Sequence, residues 1–189
     1  MEHSDLSAQA REKIGPLARR VIRRANGALP YDYIVPNGVY EELWDWDAFF
    51  VGLHLISVDR AAGIYLKNWC LNFLRHTEPD GHTPGGIRPW SGRDARLYHI
   101  KPLMAQAAFY ASLALDEWEW LGPVWETMSS AVTYRERKNG MMHENYHAET
   151  GEPLAAPDFI SWNLLVVQMI DEAREGAFKP DPERTLWAV

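Results

Sequence analysis

Three things are scarce in this chain of 189 residues, and each scarcity removes a class of protein. It has a single cysteine, Cys70, so no internal disulfide framework can form and a reducing compartment is expected. On an apolar helical stretch, Cys70 reads as a buried, inert thiol. No apolar run approaches the ~20 residues needed to span a bilayer. Positive charge is in deficit: the net charge of −7 gives no electrostatic footprint for nucleic acid. The one basic cluster, Arg19-Arg20 and Arg23-Arg24, reads as the solvated face of a first helix. The opening residues Met1-Glu2-His3-Ser4-Asp5 lack the basic and apolar regions of a signal peptide, and a cytoplasmic setting is expected. Strand patterns are missing as well, which makes the expected fold all-α.

Aromatics are abundant instead. There are nine tryptophans, and the densest aromatic stretch is Tyr40-Glu41-Glu42-Leu43-Trp44-Asp45-Trp46-Asp47-Ala48-Phe49-Phe50. Leu43, Trp46, Phe50 and Leu53 recur at helical spacing, which predicts a helix from about Asp45 that buries that face. Trp44 and Asp47 lie three apart and so share a face at the helix start. An indole covers the apolar C–H face of a sugar ring while a carboxylate accepts from vicinal hydroxyls. The plainer reading is an N-cap aspartate followed by core aromatics.

Along the chain, Ser7 to Arg24 is amphipathic, with Ile14, Leu17, Val21 and Ile22 inward and Pro16 marking a first turn or a break. Gly27 to Glu42 is a loop rich in turn residues and carries Tyr31, Tyr33 and Tyr40. Ser57 or Asp59 caps a further helix, with Ile64, Trp69 and Phe73 or Leu74 buried. Glu78 to His99 is a long Gly/Pro loop, of a length that is usually functional. Pro102 opens a helix to about Leu121. Another starts at Pro123 and fades near Arg135-Glu136-Arg137-Lys138. Asn139-Gly140 is a turn, Met141 to Ile160 a loop, and Ser161 caps a last helix to about Arg174. Residues 1–175 form one domain of roughly six helices in hairpins, and 176–189 a tail.

A second motif follows: Met142-His143-Glu144-Asn145-Tyr146, then Thr150-Gly151-Glu152, then Ser161-Trp162. Taken in order with Trp44-Asp45-Trp46-Asp47, it resembles the (α/α)6-barrel glycosidases related to trehalase and to glycoside hydrolase family 63, including mannosylglycerate and glucosylglycerate hydrolases. The resemblance implies that Trp44, Trp46 and Asp47 bind the glycone. It implies that Glu144 is the general base, with Tyr146 and Trp162 shaping the pocket. Gly86-Ile87-Arg88-Pro89 and Lys101-Pro102 are similar to the same family's rim, where Arg88 would meet the aglycone and Lys101 the substrate. Such enzymes need no cofactor or metal. They hydrolyse α-glycosides with inversion, using two carboxyl groups roughly 6.5–9.5 Å apart.

The chain is about half as long as such a barrel. Its matched pieces are the family's amino-terminal part and its end, with a join expected between Leu121 and Asn139. Nothing matches the Asp-Asn-Ser-Pro-like motif that carries the family's general acid; Asp94 and Asp158 are the loop acids in reach of that role. An incomplete toroid would expose helix faces and favour a homo-oligomer. Three readings stay open: a glycoside hydrolase acting on α-linked glucosides or mannosides, a non-catalytic sugar-binding remnant, and a helical scaffold whose tryptophans are core. A metal at His143 and His147 is a weaker idea, because the neighbouring residues do not favour a helix there.

Overall fold

The computed structural model describes residues 17, 20–92, 98–139, 143–146 and 153–157. They are mostly helical: α1 (Asp45–Val58), α2 (Gly63–Arg75), α3 (Met104–Leu115) and α4 (Trp125–Asn139). Short strands, which the sequence pattern does not announce, join them. These are β1 (Ile22–Arg23), β2 (Tyr33–Ile34), β3 (Leu43–Trp44), β4 (Gly86–Ile87), β5 (His143–Tyr146) and β6 (Pro153–Pro157). They pair antiparallel as β1–β2, β3–β4 and β5–β6. The two residues in each of β1 to β4 are too few for alternation to emerge, and the partners are chosen by tertiary contact.

The first helix expected to reach Arg24 is therefore corrected at its end, since Ile22 and Arg23 form β1. Leu17, expected inward, is exposed, whereas Val21 is buried. Arg23 is not simply solvated either. Its guanidinium donates to the carbonyls of Arg20, Gly38 and Tyr40 and lies 3.4 Å from Glu41, stapling the 38–41 loop onto β1.

Helix α1 starts at the expected residue, yet the face it buries is different. Asp45, Ala48, Phe49, Gly52 and Leu55 point inward, at offsets of 0, 3, 4, 7 and 10 from Asp45 that follow one helical stripe. Leu43 lies on β3 before the helix, and Phe50 is 58% exposed. Gly52 lets α2 approach closely, because a Cβ there would overlap Leu66. The Asp59 carboxylate, one of two expected caps, accepts from the Ala61 N–H and opens a single 3-10 turn, Arg60–Ala62, ahead of α2.

On α2 the buried stripe is Leu66, Trp69, Cys70, Phe73 and Leu74; Ile64, expected among them, is exposed. Cys70 is fully buried, and burial pushes its thiol pKa up, as expected of an inert thiol. Helix α3 lays Ala107, Ala108 and Ala111 against α2, and these small side chains let the two helices pack along most of their length. It ends at Leu115, six residues short of expectation. Asp116 adopts the left-handed conformation (φ 57°) and turns the chain. A second 3-10 segment, Glu119–Val124, contains Pro123 and leads into α4, which covers α3 with Met128 and Ala131.

The core forms where α1, α2, α3, α4 and the β2 and β3–β4 segments meet, around Leu29, Ile34, Leu43, Leu66, Trp69, Phe73, Ile87 and Met104. The long loop expected over 141–160 instead contains the hairpin β5–β6, whose register pairs Asn145 with Leu154 and Tyr146 with Pro153. No helix among the described residues is long and apolar enough to cross a membrane. The helix expected over 161–174 and the tail from 176 lie outside the described residues.

Candidate functional site

The start of α1 is built by three segments distant in sequence. β3 pairs with β4, placing Trp44 opposite Gly86 and Leu43 opposite Ile87. The other edge of the 83–87 segment meets residues 98–100: the Gly85 N–H donates to the Tyr98 carbonyl at 2.8 Å, and the Ile100 N–H to that of Thr83 at 2.8 Å. The Gly85 carbonyl in turn accepts from the Asp45 N–H at 3.0 Å, so Gly85 joins both edges at the first turn of α1.

Asp45 is the hub of this junction and has no exposed surface (0%). Its Oδ1 accepts from the Trp46 N–H at 2.8 Å, and its Oδ2 accepts from the Lys101 N–H at 2.9 Å. The Lys101 ammonium lies 3.4 Å from the same Oδ2. The Asp45 carbonyl accepts from the Trp69 indole N–H at 3.0 Å, tying the site floor to α2. A buried carboxylate is tolerated only when paired and hydrogen-bonded, and here every bond comes from a different piece of backbone or a cation. Asp45 is thus not the N-cap of the plainer reading: the capping position is Trp44, without a side-chain cap.

Lys101 is itself buried (7% exposed). Its ammonium sits 5.1 Å from the Trp46 ring centroid and 4.7 Å from that of Tyr98, both within cation–π range. Trp46 is 43% exposed, Trp44 is buried, and Asp47 is half-buried in the first turn of α1. Arg88 follows β4, with its Nε 3.9 Å from Glu42 Oε1. Each cation at this edge therefore stands beside a carboxylate.

Behind the junction, the rings of His82, His99 and Tyr134 cluster in tilted and edge-on contacts, with centroids 4.7–5.5 Å apart. The Thr83 N–H donates to His99 Nδ1, which places the imidazole proton on Nε2, where it donates to the Ala131 carbonyl at 3.2 Å. This bond locks α4 to the 83–99 connection. Burial pushes the Tyr134 phenol pKa up, with the Asp80 charge adding to the effect.

Of the residues read from the sequence, Trp44, Trp46, Asp47, Arg88 and Lys101 come together around the start of α1. Glu144 and Tyr146 lie on β5, and Trp162 lies outside the described residues, as do Asp94 and Asp158. Asp45, Gly85 and Tyr98 were not anticipated. For Asp45 a signal existed: counting back from Ala48, Phe49, Gly52 and Leu55 puts it on the buried stripe. Among the described residues, no group of three or more His, Cys, Asp or Glu side chains is placed to hold a metal ion. No family model matches the chain, and no solved structure does either.

Proposed function

We propose that this protein is a glycosidase-like, incomplete (α/α)6 toroid of helical hairpins that takes α-linked glucosides or mannosides at the amino end of α1. What supports the reading is one convergence. The Trp44-Asp45-Trp46-Asp47 stretch and the Gly86-Ile87-Arg88 and Lys101-Pro102 stretches share a family resemblance, and they share one edge of the fold. There the half-exposed Trp46 indole offers a stacking face and Asp47 a carboxylate for sugar hydroxyls. In this reading Glu144 is the general base of an inverting hydrolysis, and Tyr146 and Trp162 complete the pocket. The ligand is a small glycoside, and neither nucleic acid, membrane nor cofactor takes part. A second copy of the chain covers exposed helix faces such as that of Phe50. The single cysteine fits a cytoplasmic setting.

The second reading is sugar binding without turnover. It is favoured by one observation: nothing in the sequence matches the family's general-acid motif. Losing a general acid lowers rate on the order of 10²–10⁴-fold. Release of glucose from trehalose and of p-nitrophenol from aryl α-glucosides and α-mannosides, with Glu144→Gln as control, separates the two. Hydrolysis that the control loses supports the enzyme. Tryptophan fluorescence that responds to trehalose or methyl α-mannoside without turnover supports the binding remnant. A chain that neither cleaves nor binds these sugars is a helical scaffold, and the carbohydrate reading is then wrong.

A further inference from the structure

We infer that Lys101 serves this site as a positioning residue: its ammonium, neutralised by Asp45, is held against the Trp46 indole and fixes the orientation in which that ring can stack. Only the link to stacking rests on the sugar-binding reading; the positioning itself does not.

The geometry carries the inference in three steps. First, Lys101 is 7% exposed whereas Trp46 is 43% exposed, so a buried ammonium 5.1 Å from the ring centroid anchors a partly exposed indole. Second, the charge is already taken up. Asp45 Oδ2 lies 3.4 Å from the ammonium and also accepts the Lys101 N–H at 2.9 Å, which ties the cation's position to the backbone that carries it. A lysine held this way is poorly placed to bind an incoming anion, since that would mean giving up a buried counter-charge. Third, the Trp46 backbone is held by the same carboxylate, because its N–H donates to Asp45 Oδ1 at 2.8 Å. One aspartate therefore orients both the main chain of the tryptophan and the cation against its ring. The Tyr98 ring, 4.7 Å from the ammonium, is a second aromatic contact that fixes the lysine between two rings.

Lys101→Met alone would strand a buried carboxylate and is expected to unfold the chain. The informative variant is therefore the pair Asp45→Asn with Lys101→Met, which removes both charges at nearly constant shape; Asp45→Asn with Lys101→Gln is the alternative if the first pair does not fold. Lys101→Arg keeps the cation. The readouts are the thermal melt, the Trp46 indole N–H resonance (assigned with Trp46→Phe), and titration with trehalose and methyl α-mannoside.

The neutral pair is expected to melt cooperatively while the Trp46 resonance broadens or splits. Sugar affinity should fall roughly five- to thirtyfold, the loss of one desolvated cation–π contact. Lys101→Arg should keep a single indole resonance and most of the affinity. A folded neutral pair with wild-type indole signal and wild-type affinity overturns the inference. If the wild type binds neither sugar, the carbohydrate reading falls, and the indole resonance alone decides whether Lys101 holds the ring.

Discussion

Gly85→Ala should be among the most damaging single-methyl additions in this chain. The glycine carries no unusual backbone angle, so the cost is steric. A Cβ on Gly85 would overlap Cδ2 and Cε2 of Tyr98 and lie 2.9 Å from its Cζ. The Tyr98 ring cannot simply tip away, because its carbonyl is held by the Gly85 N–H at 2.8 Å and its face covers the Lys101 ammonium at 4.7 Å. Overpacking of this kind costs about 1–3 kcal/mol. Losing the ring over a buried cation adds about 0.5–2 kcal/mol, which brings the total to roughly 1.5–5 kcal/mol. For a chain of this size, that is a fall in Tm of about 3–20 °C.

Gly38→Ala is the internal control. Nothing lies within 4 Å of a Cβ there, so it should be neutral or stabilise by up to about 1 kcal/mol. Thermal and urea melts of both variants give the comparison. A cycle with Tyr98→Ala tests the cause, because Gly85→Ala should cost almost nothing once the ring is gone. Gly85→Ala melting within a degree of wild type, or costing the same with and without Tyr98, would refute the reasoning.

Asn72 has no exposed surface and spans the Tyr31 peptide, with its Nδ2 donating to the Tyr31 carbonyl at 3.1 Å and its Oδ1 accepting from the Tyr31 N–H at 3.3 Å. Asn72→Ala should therefore destabilise by about 1–3 kcal/mol in urea melts, and more than Asn37→Ala in the exposed 37–40 turn. Burial, with the Glu41 charge adding to it, pushes the Tyr33 phenol from its ordinary 10 up to about 12. The neutral form is thus favoured in the fold, and the stability it contributes is fully present below pH 10 and lost as pH rises toward 12. Melts between those limits should show a decline of roughly 2 kcal/mol that Tyr33→Phe blunts; identical alkaline profiles would discount Tyr33. Asp47→Ala, at a half-buried position in α1, should abolish sugar binding by fluorescence titration while leaving Tm within about 2 °C. Unchanged affinity would remove Asp47 from the site.

What the chain's own sequence determined is local. The start of α1 at Asp45, the Asp59 cap and the onset of α4 near Pro123 were legible, because caps, prolines and helical spacing act within a few residues. So was the burial of Cys70. The tertiary structure decided the rest. Trp46 and Phe50 fit a helical stripe as well as Ala48 and Phe49 do, and only packing against α2 selected which stripe was buried. The paired strands β3 and β4 lie more than forty residues apart, a separation that no short-range pattern reports. Of two aspartates in the same first turn, Asp45 became the buried hub and Asp47 stayed half-buried. What separated them was a lysine 56 residues further on, whose backbone and ammonium both reach Asp45 Oδ2. A buried charge keeps its place only where its partners converge, and that convergence is a property of the folded chain.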